Sequence, residues 1–376
     1  MKILDVKAEK FHYQTPIHLD AAGHNCPGPL RDAQRTFVTI TAENGMSGHS
    51  FGGSAEVINQ LVKSLLVGED ALYRERIWQR LKGRQRMFSG SLTNEVLCMV
   101  DLALWDLAGK IMQQPVYKIL GGFRNKIPAY ASTMCGDDLE NGLNTPEAYA
   151  DFAAACQKRG YQALKLHTWM APPDVKMDVA ACKAVRERVG DTMVLMLDSY
   201  HGYSRQQALY LGKELEKLNF YWLEEPMDEY NIESYVWLAE QLAIPICGPE
   251  KAEGKMQTRA EWIVRHASDI SRGGVKNLGG ITPLIKTAHL CESFGISLEV
   301  HGSNIGNLHV LGAMGIPGEY YERGLLHPLI DYEVPEPWLN SIVDPMDSAG
   351  FVHLSDRPGL GWDLNLDYIR ANLLTK

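Results

Sequence analysis

Three carboxylates stand at equal intervals in the middle of this 376-residue sequence: Asp198 closing MVLMLD, Glu224 in FYWLEE and Glu250 in IPICGPE, each 26 residues after the last. Each ends a short apolar run of strand type. Three acids brought to one rim repel one another unless a cation sits between them. An all-oxygen donor set favours a hard divalent ion, Mg2+ before Zn2+. A single acid at a strand end is usually a helix cap or a surface ion pair, but three in register are poorly explained that way. Glu225 points to the opposite face from Glu224 and reads as structural. Paired glutamates also suit a glycosidase, whose two carboxylates flank the scissile bond. The third acid and the bases upstream fit that reading poorly.

Those bases lie in GYQALKLHTW (160–169), where Lys165 and His167 share one face of an extended run and Leu164 and Leu166 share the other. His301 closes ISLEVH, 51 residues after Glu250 and about two strand–helix units further on. Arg272 and Lys276 follow the run SDIS and are candidates to bind hydroxyls or a second carboxylate, with solvated surface charge as the alternative.

The elements that must position these groups follow from the same pattern. From Pro128 to Arg323, short strand-like runs alternate with amphipathic helical stretches: PAYAST, YQALKLH, MVLMLD, FYWLEE, IPICGPE, SDIS, ISLEVH and EYYE. Eight such strands predict a parallel (β/α) barrel with its site at the C-terminal mouth. Thr145-Pro146, Ser204 and Thr282-Pro283 read as helix starts, and Gly160, Gly190 and Gly295 as helix ends. Before the barrel, RTFVTITAENGMSGHS reads as strands around an Asn44-Gly45 turn, followed by three helical stretches: a small α+β domain. The tail, with PEPW and RPGLGW, fits no further strand–helix unit and is expected to fold back on that first domain. The resulting division is 1–125, 126–325 and 326–376.

Composition bounds the partners. The chain is 45% hydrophobic and 22% charged with a net charge of −9, which argues against nucleic acid or an anionic membrane as the main partner. The most apolar helical stretch is interrupted by Asp101 and Asp106, and the opening MKILDVKAEKF lacks the features of a signal peptide. Seven scattered cysteines without a CxxC spacing read as reduced thiols. A cytoplasmic protein is expected. The basic run Lys82, Arg84, Arg86 reads as a solvated helix end.

Taken together, DLALWDLAGK followed by PVYKILGG, the K-x-H strand end, LD, EEP, GPE and LEVH resemble the enolase superfamily, in particular the mandelate racemase and muconate lactonizing group, over nearly the whole chain. The resemblance implies a modified TIM-type barrel, α/β in class, with an α+β capping domain built from the N-terminal region plus the C-terminal tail. It implies that Asp198, Glu224 and Glu250 hold Mg2+, which grips the carboxylate of an acid substrate and stabilises the enolate left by α-proton removal. Relatives usually carry K-x-K with the second lysine as base, so His167 takes the base position and Lys165 the helper position. Histidine starts near 6.5 where lysine starts near 10.4, and a neighbouring Lys165 ammonium favours neutral His167. The competing assignment makes Lys165 the base and His167 a hydrogen-bonding pocket residue.

Racemase relatives pair the histidine at position 301 with an aspartate at the end of the sixth strand. Here DISRGGVKNLGG puts Gly273 or Gly274 in that place, Asp269 lies too far back, and Glu299 is the remaining candidate orienter. A histidine without a carboxylate partner suits proton donation to a leaving hydroxide, which favours dehydration over racemisation. Glu322 takes the place of an eighth-strand acid that hydrogen-bonds the enolate, with Glu319 competing for it. HLDAAGHNCPG and SGHSFGG resemble flaps over the mouth, making His24, Asn25 and His49 candidate hydroxyl binders for a polyhydroxylated acid. The expected function is an Mg2+-dependent dehydratase of a sugar acid, aldonate or aldarate, giving a 2-keto-3-deoxy acid. A racemase, epimerase or cycloisomerase of the same superfamily is the alternative, and a non-catalytic binding protein the alternative of another class. The expected partner is the small-molecule sugar acid, with neither nucleic acid nor membrane, in a homo-oligomer.

Overall fold

A computed structural model of the chain describes residues 1–21, 23–88, 90–169, 174–315 and 318–374. Ala22 of the HLDAAGHNCPG flap and the last two residues of the tail lie outside them. Eight parallel strands close into a barrel: β4 (Lys126–Thr133), β5 (Ala163–His167), β6 (Val194–Asp198), β7 (Leu223–Glu224), β8 (Ile246–Cys247), β9 (Ile270–Gly273), β10 (Ser297–Val300) and β11 (Tyr321–Leu326), with β11 pairing back to β4. Strand alternation sorts their side chains. Leu164, Leu166, Leu195 and Leu197 join the large core shared with the helices, whereas Tyr130, Ala163, Met196, Trp222, Cys247 and Ile270 form a separate inner plug. One pleat above that plug, the inward positions become Lys165, Asp198, Glu224 and Arg272. Register places them side by side: His167 opposite Asp198, and Asp198 opposite Glu224.

The capping sheet is antiparallel, with β1 (Ile3–Leu19), β2 (Asn25–Ala42) and β3 (Ser47–Phe51) in that order. Gly45, at φ 82°, makes the turn predicted between β2 and β3. The helix Asn94–Met112 packs beneath this sheet so closely that a Cβ on Gly48 would lie 2.0 Å from the Ala103 carbonyl oxygen. From the tail, β12 (Phe351–His353) pairs antiparallel with β4. Trp338, Leu339 and Ile369 of the tail form an aromatic-rich cluster with Phe11, Phe37 and Phe51 of the cap.

Helix starts at Thr145 and Ser204 are side-chain caps, the latter a reciprocal capping box with Gln207. Thr282 is not. The helix begins at Ile281 after Gly280, and the Thr282 hydroxyl instead donates to the buried Asp101 carboxylate at 2.6 Å, tying the barrel to the helix Asn94–Met112. Among the described residues, no helix is long and apolar enough to cross a membrane.

Candidate active site

The three strand-end carboxylates meet as their spacing predicts. Oxygens of Asp198, Glu224 and Glu250 lie within 4.8 Å of one another, and all three side chains are buried. Glu224 accepts from Lys165 Nζ at 3.0 Å, Arg272 Nε at 2.7 Å and Trp222 Nε1 at 3.1 Å. Asp198 faces His167 Nε2 at 3.0 Å and Lys165 Nζ at 3.5 Å. Glu250 faces His301 Nε2 at 3.3 Å. Glu322 joins the ring from β11, accepting from Lys165 Nζ at 3.0 Å, Arg272 Nη2 at 2.8 Å and Ser132 Oγ at 2.8 Å.

Charge balance tests the donor set. The four carboxylates are matched by two permanent cations, Lys165 and Arg272, which leaves two negative charges in a water-poor site, the complement of one divalent ion. Glu224 and Glu250 register that excess. Their carboxyls are pushed above the ordinary value, by burial first, and Asp198 adds to the effect against the pull of Arg272. Lys165 is held well above its ordinary value, because Glu224 and Glu322 outweigh the opposing effects of burial and Arg272. Asp198 and Glu322 lie well below theirs: burial opposes this, but His167 and Lys165 beside Asp198, and Lys165 and Arg272 beside Glu322, prevail.

His167 is fixed from behind. Its Nδ1 donates to the Thr133 carbonyl oxygen at 2.8 Å, its backbone N–H to Thr133 Oγ1 at 2.9 Å, and its own carbonyl accepts from Tyr149 OH at 2.6 Å. With Nδ1–H so engaged, Nε2 is the nitrogen that faces the mouth. Across the ring, His301 has a third of its side chain exposed and directs Nδ1 at the Asn277 amide oxygen, 3.3 Å away. Asn277 Nδ2 in turn lies 3.4 Å from Glu250 Oε1. His301 is pushed below its ordinary value, by burial first and by Arg272 and Lys165, against the pull of Glu322.

The orienter of His301 is therefore Asn277 and not Glu299. The Glu299 carboxylate accepts from the Glu319 backbone N–H at 3.0 Å, one pleat down the barrel. Glu319 itself is exposed, whereas Glu322 is buried among Lys165, Arg272 and Ser132. The absence of an acid at Gly274 has a steric cause, since a Cβ there would lie 2.4 Å from the His301 carbonyl oxygen. Glu225, at φ 40°, turns away from the ring toward Glu229 and His201. It and Glu229 accept the Glu250 backbone N–H, while Arg259 holds the Pro249 and Ala252 carbonyls at 2.9 Å. The loop carrying Glu250 is thus gripped from both sides.

The remaining sequence candidates divide. Arg272 departs from its reading as a hydroxyl binder: it is wholly buried, with Nε and Nη2 engaged by Glu224, Glu322 and Tyr130. His49 departs too. Its ring stacks on Phe37 at 5.0 Å, its backbone bonds Asp106 and Trp362, and burial pushes it down to about 3, so it belongs to the seam between cap and helix. Asn25 is exposed in the β1–β2 ladder opposite Leu19, and Lys276 is exposed in the short helix Val275–Leu278. His24 reaches the mouth, its ring 4.5 Å from that of Tyr200. Sequence reading missed Asn277, Thr133 and Tyr149. Asn277 carried a usable signal, since it lies just past the glycine pair where the dyad acid was sought.

A closed parallel barrel with an acidic triad at its mouth and basic side chains on opposite sides of it has the architecture of a metal-assisted enzyme. Residues 148–368 match the family model for enolase C-terminal domain-like proteins, and residues 16–121 match that of the mandelate racemase/muconate lactonizing enzyme N-terminal domain. The chain belongs to this family of the enolase superfamily. It is 31% identical to an arabinonate dehydratase of Saccharolobus solfataricus over 82% of this chain and 80% of that one. It is 28% identical to a 3,6-anhydro-alpha-L-galactonate cycloisomerase of Streptomyces coelicolor over 98% of both. Among solved structures, the D-glucarate dehydratase of Agrobacterium tumefaciens complexed with magnesium superposes with a TM-score of 0.97, at 51% identity and full coverage of both chains.

Proposed function

We propose that the protein, a carbon–oxygen lyase of this superfamily, is an Mg2+-dependent dehydratase of a polyhydroxylated sugar acid. The observation that carries the reading is the unequal pair of histidines around one acidic triad: His167 locked by a backbone carbonyl into a tautomer with Nε2 at the mouth, and His301 held by the neutral Asn277. Mg2+, when bound by Asp198, Glu224 and Glu250, supplies positive charge for the substrate carboxylate and for the negative charge that grows on it. His167 Nε2 removes the α-proton, and the Lys165 ammonium balances the resulting charge. His301, once its ring has taken up a second proton, delivers it from Nε2 to the β-hydroxyl as the C–O bond breaks, so that water leaves, the imidazole returns to neutral and the enol collapses to a 2-keto-3-deoxy acid. In this account the Glu322 carboxylate holds Lys165 and Arg272 in place beneath the reacting carbons.

The kinship with sugar-acid dehydratases supports this reading. The cycloisomerase relative, matched over nearly its whole length, favours an isomerase as the second reading. Incubating the protein and Mg2+ with mono- and diacid sugars separates them. Semicarbazide-reactive 2-keto acid marks the dehydratase, optical rotation change without keto acid marks the isomerase, and inertness toward all of them leaves a binding protein.

A further inference from the structure

One cluster at the mouth is used by none of these steps. Tyr200 lies two residues after Asp198 and donates its backbone N–H to that carboxylate at 3.0 Å. Tyr200 and His201 are consecutive non-glycine residues in the left-handed region, at φ 48° and 51°, a conformation that costs energy and persists where its surroundings require it. The Tyr200 ring meets two basic side chains. His24, from the capping segment, meets it edge-on at 4.5 Å. Lys251 places Nζ 4.8 Å from the ring centroid and 3.3 Å from the phenol oxygen. Lys251 directly follows the triad member Glu250, so the cluster joins two of the three triad strand ends to the cap.

Both basic groups are incompletely used. His24 has only a tenth of its side chain exposed, and Asp20 engages its Nδ1 at 3.1 Å, yet its Nε2 is buried with no hydrogen-bond partner among the described residues. A buried polar atom without a partner costs enough that something normally meets it. Lys251 forms no close ion pair among the described residues: Glu250 and Glu225 act on it only at longer range, and its Nζ contacts the Tyr200 ring and hydroxyl.

We infer that His24, Tyr200 and Lys251 form the subsite for a second carboxylate at the far end of the substrate, so that the substrate is a sugar diacid rather than a monoacid. A monoacid presents a hydroxyl there, and the positive charge of Lys251 gains little from it. A carboxylate, remaining an anion, accepts from Lys251 Nζ, from the Tyr200 hydroxyl and, with His24 as an imidazolium whose Nδ1–H stays on Asp20, from His24 Nε2. This inference rests on the sugar-acid reading of the triad for the near end of the substrate.

The test compares galactarate with galactonate and glucarate with gluconate, pairs that differ in a terminal carboxylate against a terminal hydroxymethyl group. The readout is the diacid-to-monoacid ratio of kcat/KM wherever keto acid forms, and of calorimetric dissociation constants with Mg2+ present wherever it does not. The wild-type protein should favour the diacid by about 10- to 100-fold, the span of one or two charge-assisted hydrogen bonds. Lys251→Met should bring the ratio close to one, Lys251→Arg should largely restore it, and His24→Leu should reduce it by a smaller factor. A general disturbance of neighbouring Glu250 would lower both members of a pair alike and leave the ratio standing, which would overturn the subsite. Preference of the wild-type protein for the monoacid would overturn it as well. Keto acid from monoacids alone would refute the subsite and keep the dehydratase reading. Diacid preference in binding with no keto acid from any sugar would refute the dehydratase reading and keep the subsite.

Discussion

Glu299 on β10 and Glu322 on β11 are both glutamates, both directed into the barrel and both buried, yet they are opposite kinds of acid. Glu322 faces Lys165 and Arg272 and is held well below the ordinary carboxylate range against its own burial. Glu299 accepts from the Glu319 backbone N–H, has no partner for its second oxygen among the described residues, and is pushed by burial up to about 7. One pleat separates a floor that tolerates a neutral acid from a mouth built to hold charge. Burial is common to both, so the neighbouring cations decide.

The largest effect should come from removing charge at the mouth itself. Glu250→Gln deletes one anionic ligand of three and should lower activity by about 1,000-fold or more, with a matching loss of Mg2+ affinity in calorimetry. Near-wild-type turnover in excess EDTA would refute the metal role. Next, the same amide substitution at the two compared glutamates should act with opposite sign. Glu322→Gln strands Lys165 and Arg272 beside Glu224 and should cost about 3 kcal/mol in denaturant unfolding at pH 7.

Glu299→Gln should instead stabilise, and only in part of the pH range. Below the ordinary value of about 4.5 the carboxyl is protonated in folded and unfolded chains alike, so the native protein loses nothing. Between about 4.5 and about 7 the unfolded chain ionises first, the folded chain retains the proton, and stability falls with rising pH. Above about 7 the penalty is complete, on the order of 3 kcal/mol at 1.36 kcal/mol per pKa unit. The variant should erase that slope while retaining the amide acceptor for Glu319. A stability profile parallel to wild type between pH 4.5 and 7 would refute this.

The smallest effect probes the mouth's own asymmetry. Asn277→Asp places a carboxylate 3.3 Å from His301 Nδ1, where the amide oxygen now lies, and should move the His301 limb of the pH–rate profile up by about one pH unit. An unmoved profile would mean that Asn277 does not set the proton affinity of His301.

Most of the barrel was legible in the sequence because its evidence is periodic. Strand alternation put Lys165 and His167 on one face, and two 26-residue intervals brought three acids to one rim. What stayed hidden depends on contacts between segments distant in sequence. Nothing near Arg272 announces that it turns inward to Glu224 and Glu322, 48 and 50 residues away. His49 in SGHSFGG looks like a loop histidine until β3 packs against a helix 57 residues on, through Asp106. Thr282 before Pro283 has every local sign of a cap, but a buried carboxylate 181 residues earlier in the chain takes its hydroxyl. The family pattern points to an acid as the orienter of His301, whereas the close approach of Gly274 to the His301 carbonyl excludes a side chain there and leaves the role to an amide.

The division of labour between His167 as base and His301 as acid can be read from a His301→Asn variant in deuterated water with Mg2+ and a sugar acid turned over by the wild-type protein. Provided enolisation is reversible, deuterium should wash in at the α-carbon, read by NMR, with little keto acid formed. Dehydration at the wild-type rate would contradict the acid role of His301, and loss of exchange in a variant that still binds substrate would contradict His167 as the sole base.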